Sequence, residues 1–176
     1  LFEGLSFRVQ AGQALALEGA NGAGKTSLLR LIAGFLPPVS GRVFVTEGGR
    51  EIGEAEERGR FIGWLGHHDA LKASFTVSEQ LTFFGRLYGR TGDRPALLDQ
   101  VGLTRQADLP CRYLSAGQRR RLALARLLLT QRPLWLLDEP FAALDTAGKA
   151  LVARLIARHC AGGGIVLAAT HEPLGL

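Results

Sequence analysis

The chain has 176 residues, of which 47% are hydrophobic and 21% are charged, and its formal net charge is +5. This describes one ordinary globular domain with enough apolar residues for a sizeable core. No apolar run approaches the ~18 residues of a membrane-spanning helix, and residues 1–10 lack the features of a secretory signal. We therefore expect a cytosolic domain, unless a partner holds it at a membrane. Cys111 and Cys160 lack the close pairing of a zinc or redox motif, so free thiols are predicted.

The chain contains no methionine, so we expect that Leu1 is not a natural first residue. Residues 1–10 are typical of the middle of a strand-rich segment. We expect a single domain over residues 1–176 that lacks its N-terminal strand.

The first third of the chain predicts strands and one helix around a glycine-rich loop. Residues 13–18 form a short apolar run that ends at the glycine-rich loop 19–24. Residues 25–33 then have helical spacing of apolar residues, and Gly34 with two prolines beyond it ends the helix. Segments 42–46 and 61–65 are predicted as further strands.

The middle of the chain predicts a helical block. Thr76 and Glu79 form a capping box at the start of a helix. Its apolar residues are predicted to share one face: Leu81, Phe84 and Leu87. A second helix is capped by Asp93 and closed by Gly102, and a third runs from Ser115 to about residue 130.

The last part returns to strands, at 134–137 and 165–169, with an amphipathic helix at 150–160 between them. In that helix Leu151, Leu155 and Ile156 are predicted inward, and Arg154 and Arg158 outward. Strands alternating with helices predict an α/β fold with a mainly parallel sheet covered on both faces. We expect a core formed by residues 1–68 and 123–176 and an inserted helical subdomain over residues 69–122.

Residues 19–26 read GANGAGKT, which fits the phosphate-binding pattern G-x-x-x-x-G-K-[ST]. Glycines let successive backbone N–H groups turn toward phosphate oxygens, and the following helix adds its positive dipole end. Lys25 is predicted to contact the β- and γ-phosphates, and the Thr26 hydroxyl to ligate Mg²⁺. The alternative, a plain glycine turn, is disfavoured by the strand–loop–helix setting.

Two further segments carry candidate chemistry. The apolar strand at 134–137 ends in Asp138 and Glu139, where carboxylates meet a nucleotide in such folds; Asp138 suits Mg²⁺ and Glu139 suits polarising the attacking water. Ser115 begins a helix and Gly117 leaves its first N–H groups open, which predicts a second anion site. A simple helix cap is the alternative at Ser115. Because one chain needs one phosphate cradle, the second predicts that two chains share each ATP.

Taken in order, five motifs resemble those of the ABC ATPases. They are GANGAGKT at 19–26, LSAGQ at 114–118, LWLLDEP at 134–140, ALD at 143–145, and His171 just after a strand. They look like the Walker A, signature, Walker B, D-loop and switch-histidine motifs. The resemblance implies a RecA-like P-loop NTPase core that hydrolyses ATP with Mg²⁺ inside a head-to-tail dimer.

The resemblance also implies roles for individual residues. Glu139 would be the general base, His171 would contact the γ-phosphate, Ser27 the α-phosphate, and Asp145 the partner chain. The full set of implied nucleotide contacts, besides the Mg²⁺ ligands Thr26 and Asp138, is Gly19, Ala20, Asn21, Gly22, Ala23, Gly24, Lys25, Thr26, Ser27, His67, Ser115, Gly117, Gln118 and Asp145. The aromatic residue that stacks on adenine in most ABC ATPases would precede Leu1, so base contacts are not assigned.

A narrower resemblance is carried by LGHHDALK at 65–72, EQLTFF at 79–84, DEPFAALD at 138–145 and THEPL at 170–174. These segments look like the ATPase subunits of the haem exporters of cytochrome c maturation, the CcmA family. That resemblance implies integral membrane partners of the CcmB and CcmC type. It also implies a peripheral position at the cytoplasmic face of the bacterial inner membrane.

Other functions stay open at this point. The chain could serve another small ABC importer or exporter, or be a nucleic-acid-acting ABC ATPase that uses Arg119, Arg120 and Arg121 as a phosphate patch. We expect those arginines to be solvated surface and no nucleic-acid partner, since residues 25–138 lack the long coiled coils of that class.

His67 and His68 invite a haem or metal hypothesis, because imidazole is a common iron ligand. Neighbouring residues in extended backbone point to opposite faces, so we expect the pair not to share one ion. His67 stands where most ABC ATPases have glutamine, and we expect it to sense Mg²⁺–ATP and relay its state to the membrane subunits.

Overall fold

Strands and helices alternate along most of the chain in this computed structural model, which describes residues 2–90 and 92–175. The strands are β1 Ala14–Leu17, β2 Val45–Glu47, β3 Arg50–Ile52, β4 Ile62–Leu65, β5 Leu134–Asp138 and β6 Ile165–Ala169. The helices are α1 Lys25–Ala33, α2 Ala55–Gly59, α3 Val77–Leu87, α4 Arg94–Gln100, α5 Ala116–Thr130 and α6 Thr146–Ala161.

The main sheet has four strands in the order β1-β6-β5-β4. Each neighbouring pair is parallel: Ala14 aligns with Val166, Leu134 with Ile165, and Ile62 with Leu134. The predicted α/β fold with a mainly parallel sheet is therefore confirmed. Because the strands run the same way, their carboxyl ends all lie at one edge of the sheet.

Helices cover both faces of this sheet, and the alternation of β5 shows how. Leu134 and Leu136 pack with α1 residues such as Leu29 on one face. Trp135 and Leu137 pack into the larger cluster on the other face, with residues from α3 to α6. All five residues of β5 are buried, as expected for a strand inside a two-sided parallel sheet.

The helical block packs on the second face. The capping box predicted at α3 is present, because Thr76 Oγ1 accepts from Glu79 N and Glu79 Oε2 accepts from Thr76 N. Leu81 and Phe84 are buried, but Leu87 is 61% exposed. The prediction for Leu87 was wrong, since it falls at the edge of the buried face in the last turn of α3. Helix α5 continues without a break through residue 122, so the division into core and helical subdomain stays a prediction.

Three local predictions need correction. The strand predicted at 42–46 is the shorter β2, which pairs antiparallel with β3 in a separate hairpin. The turn is Gly48-Gly49, both at positive φ. Strand β3 and helix α2 were not predicted, because each is very short. No strand occurs in the described residues 2–13. Helix α6 begins at Thr146, before the predicted residue 150, because Asp145 caps it.

Two predictions made from composition can be compared directly. Cys111 and Cys160 are free thiols, and burial raises the pKa of both. Among the described residues, no helix combines the length and apolar character needed to cross a membrane.

Candidate nucleotide-binding site

Four segments converge where the strands of the main sheet end. The glycine-rich loop follows β1, His67 follows β4, Asp138 and Glu139 close β5, and His171 follows β6. The first three of these segments line an open cavity of about 340 Å³, and His171 lies beside it, 3.0 Å from Asn21. The residues that line the cavity are Asn21, Gly22, Gly24, Lys25, Thr26, Ser27, His67, Asp138 and Glu139. Ligands of open α/β sheets bind at this edge.

The glycine-rich loop has a backbone that its glycines make possible. Gly19, Gly22 and Gly24 have φ values of 146°, 83° and 97°, in the region that side chains rarely adopt. Gly24 is the N-cap of α1 and no side chain caps the helix. The first N–H groups of α1 therefore have no competing side-chain acceptor at the cap, which suits an anion.

The Lys25 ammonium lies inside this loop. Nζ donates to Gly19 O at 2.6 Å and Ala20 O at 3.1 Å, and it lies 3.5 Å from His171 Nε2. The cation is thus held at the centre of the loop, where phosphate oxygens can replace the carbonyl oxygens as its partners.

Thr26 and Asp138 bring hard oxygen ligands together beside the loop. The Thr26 hydroxyl donates to Asp138 Oδ1 at 2.9 Å and contacts Oδ2 at 3.1 Å. One carboxylate, one hydroxyl and the substrate's own phosphates form the usual donor set for Mg²⁺. In the described part of the chain no cluster of three or more His, Cys, Asp or Glu residues could hold a metal alone. The oxygen atoms of Thr26 and Asp138 fit a magnesium ion that is shared with the phosphates of a nucleotide.

Glu139 has an uncommon backbone for a residue with a side chain, with φ of 49°. Its N–H donates to Ala169 O at 2.8 Å, which ties it to the end of β6. Its Oε1 lies 3.5 Å from His171 Nε2, and that nitrogen lies 3.0 Å from Asn21 Oδ1. The Glu139 carboxylate lines the cavity, and the His171 imidazole lies beside it.

The predicted surface position of Arg120 was wrong. Arg120 was expected to be solvated, yet it is only 3% exposed. Nη1 donates to Gly66 O at 2.8 Å and Asp69 Oδ1 at 3.1 Å, and Nη2 donates to Asp138 O and Glu139 O, both at 2.7 Å. The available signal was that α5 is apolar on most sides, so a charge within it must be paired. Arg120 is therefore not available to a nucleic-acid phosphate.

His67 lines the cavity as predicted from its place after β4, but the argument about His68 fails. The two rings lie 5.4 Å apart, edge to face. The chain bends at residues 67 and 68, so the opposite-face rule for extended backbone does not apply there. Two imidazoles side by side remain exposed next to the cavity.

The signature segment lies outside the cavity. Ser115 Oγ accepts from Gln118 N at 3.2 Å, and Gln118 Oε1 accepts from Ser115 N at 2.8 Å. The hydroxyl oxygen thus caps α5, while Ser115 itself is exposed. A Cβ on Gly117 would lie 3.0 Å from Ala143 O, so this glycine also allows a close backbone approach. Asp145 Oδ1 accepts from Gly148 N at 2.7 Å and caps α6.

These features define a P-loop nucleotide-binding domain: a strand, a glycine loop and a helix with Lys25 and Thr26, completed by acids after β5. The sequence pattern of the ABC transporter family matches residues 2–142, and the chain belongs to this family. The family membership predicted from the motifs is confirmed, and the chain is an ATP-binding, transport-coupled ATPase subunit.

The chain is similar over its whole length to proteins that share one name. The chain is 52% identical to the cytochrome c biogenesis ATP-binding export protein CcmA of Rhodopseudomonas palustris (strain BisB5), over 100% of this chain and 86% of that protein. It is 51% identical to the protein of the same name from Nitrobacter winogradskyi, with the same coverage of each chain.

Solved structures agree on the fold. An ATP-binding subunit of an ABC transporter superposes with a TM-score of 0.80 at 26% identity, covering 94% of this chain and 71% of that one. The cbiO1 protein from Clostridium perfringens, part of the ABC transporter complex cbiONQ, gives 0.78 at 26% identity, covering 97% and 71%.

Proposed function

We propose that this chain hydrolyses Mg²⁺–ATP to power haem export for cytochrome c biogenesis. The observation that carries the ATPase step is the convergence of the glycine loop, Asp138, Glu139 and His171 at one sheet edge. The similarity to CcmA proteins, at 52% identity over the whole chain, supports the export role. The segments at 65–72 and 170–174, which resemble those of the CcmA family, support the same role.

The loop and its lysine bind the substrate. Backbone N–H groups of residues 19–24 and the start of α1 face the phosphates, Lys25 neutralises the β- and γ-phosphates, and Ser27 reaches the α-phosphate. Thr26 and Asp138 would hold Mg²⁺, which supplies charge stabilisation to the phosphates when bound. These contacts orient the γ-phosphate toward Glu139.

Glu139 and His171 carry out the proton and charge steps. Glu139 accepts the proton of the attacking water. His171 donates a hydrogen bond to the γ-phosphate as charge develops there. The 3.0 Å contact between His171 Nε2 and Asn21 Oδ1 holds the imidazole over the loop, so Asn21 helps to orient it.

The working unit is a head-to-tail dimer with membrane subunits. Ser115, Gly117 and Gln118 lie away from this chain's own cavity, so they would complete the partner's site, with Asp145 close to the dimer contact. The membrane subunits are of the CcmB and CcmC type. The chain is peripheral, at the cytoplasmic face of the bacterial inner membrane.

One substitution tests this function. The full-length protein, produced with its membrane subunits in a strain that lacks its own CcmA, should restore covalent haem attachment to cytochrome c. Lys25→Ala removes the cation of the phosphate loop and should reduce ATP turnover at least about 100-fold, with loss of cytochrome c maturation. If the wild-type protein hydrolysed ATP but did not restore cytochrome c, haem export would be contradicted and the ATPase activity would stand. If Lys25→Ala kept normal ATP turnover, the proposed ATP site would be contradicted.

A further inference from the structure

Arg120 joins three parts of the site through one buried side chain. Its two terminal nitrogens contact four oxygens at 2.7–3.1 Å: Nη1 contacts the β4 end and Nη2 the β5 end. The side chain leaves α5, the helix that Ser115 caps. A planar guanidinium has the fixed donor directions that such a bridge needs.

The contacts at β5 fall on both sides of Glu139. Asp138 O belongs to the peptide unit before the Glu139 Cα, and Glu139 O belongs to the unit after it. Holding both units fixes the two backbone dihedrals of Glu139, whose φ of 49° is uncommon for a side-chain-bearing residue. Those dihedrals decide where its carboxylate points.

The contacts at β4 hold the loop of His67. Gly66 O accepts from Nη1, and Asp69 Oδ1 forms an ion pair with the same nitrogen at 3.1 Å, with an Asp69 side chain only 21% exposed. His67 lies between these two anchor points. One side chain therefore sets both the loop that carries His67 and the backbone that carries Glu139.

We propose that Arg120 is the positioning residue of this ATPase, which aims the Glu139 carboxylate and ties the His67 loop to the signature helix. The proposal rests on the proposed role of Glu139 in hydrolysis. Arg120 is buried and is not among the residues that line the cavity, so its effect on the reaction passes through Glu139.

Arg120→Gln in the purified full-length transporter complex tests this. The amide cannot reach four oxygens at two strand ends, so Glu139 should lose its fixed direction. Turnover per bound ATP should fall about 100-fold, the loss expected from a displacement of roughly 1 Å. Affinity for a non-hydrolysable ATP analogue should change less than about threefold, because the loop and Lys25 are untouched. Counting bound nucleotide removes any effect of a smaller folded fraction.

The neighbouring arginine provides a matched control. Arg121 lies on the same helix, and its Nη1 contacts Val101 O and Gly102 O at 3.4 Å, away from Glu139. Arg121→Gln makes the same chemical change and should leave turnover per bound ATP within about twofold, the effect of losing a weak contact. Equal losses in the two variants would overturn the proposal.

Combination with Glu139→Gln separates positioning from general damage. If Arg120 acts through Glu139, the loss caused by Arg120→Gln should largely disappear in single-turnover measurements on the Glu139→Gln background. The same factor in both backgrounds would refute the positioning role. Normal hydrolysis by Glu139→Gln alone would instead contradict the proposed base. If Arg120→Gln does not fold, Arg120→Lys replaces it, because lysine keeps the cation but not the planar fork. It is judged by the same loss of turnover per bound ATP and by the disappearance of that loss on the Glu139→Gln background.

Discussion

At the scale of single residues, the position of His67 bears on the choice between a coupling role and haem binding. His67 lines the nucleotide cavity, and the carbonyl before it accepts from Arg120. A position at the cavity wall and a loop anchored by Arg120 both suit a residue that responds to the nucleotide. Neither feature requires bound iron. The adjacent His68 ring is 5.4 Å away, so the backbone does not prevent the two imidazoles from sharing a ligand, and a haem titration tests for one.

We predict that His67→Gln retains coupled transport, because an amide also donates and accepts hydrogen bonds at this place. His67→Ala should lower the amount of cytochrome c matured per ATP hydrolysed by roughly fivefold, the size of one lost hydrogen bond, with little change in ATP binding. His68→Ala is the matched control. Haem titration of the full-length protein should show no saturable Soret shift that depends on His67; such a shift would contradict the coupling role.

At the scale of elements, pattern and spacing predicted the long pieces well. The glycine loop, α1, β4, α3, α5, β5 and β6 all lie within a few residues of their predicted bounds, since strong caps and apolar periodicity mark them. Strand β3 and helix α2 were missed because three to five residues show no period. Arg120 was misplaced for a different reason: its partners are three main-chain oxygens and the Asp69 carboxylate, all distant in sequence, and no local pattern identifies them.

Helix α6 and strand β5 meet at a stacked pair that should respond to pH. The rings of Trp135 and His159 lie 3.8 Å apart and nearly parallel, and His159 Nε2 lies 3.0 Å from Pro133 O. Burial lowers the pKa of His159 below its ordinary 6.5, against smaller opposing effects of hydrogen bonds to the backbone at Pro133 and Ile165. The unfolded chain therefore takes up this proton at a higher pH than the folded one.

The sign of the effect follows from that difference. The stabilising contribution is complete above about pH 6.5 and is lost as the pH falls toward the lowered pKa of His159. We predict that His159→Phe, which keeps an aromatic ring against Trp135, weakens the fall in Tm between about pH 7 and pH 5. His68→Phe serves as the control and should keep the wild-type slope. An unchanged slope in His159→Phe would show that other groups control acid stability.

At the scale of the whole molecule, the structure separates two groups of nucleotide-contact candidates. The cavity of one chain gathers the loop residues, Asp138, Glu139 and, beside them, His171. Ser115 lies outside it, is exposed, and caps α5 through its hydroxyl oxygen. The hydroxyl hydrogen and the positive end of α5 remain for a ligand held by another chain, which is why we infer shared sites.

A mixed dimer tests the shared site. We predict that a complex with Lys25→Ala in one copy and Ser115→Arg in the other keeps one unmutated composite site, formed by the second copy's Lys25 and the first copy's Ser115. Its ATP turnover should exceed that of either homodimer and approach half of the wild-type rate if the two sites fire independently. Distinct affinity tags on the two copies allow the mixed complex to be purified and its hydrolysis measured.

The matched control places both substitutions in one copy and none in the other. In a head-to-tail dimer each site then contains one damaged half, so this complex should be as inactive as the homodimers, although it carries the same two changes. Ser115→Asn retains a good helix cap. The difference in stability between Ser115→Asn and Ser115→Arg therefore shows how much of the Ser115→Arg effect comes from loss of the α5 cap. Equal turnover by the two mixed complexes would mean that Ser115 does not serve the partner's nucleotide.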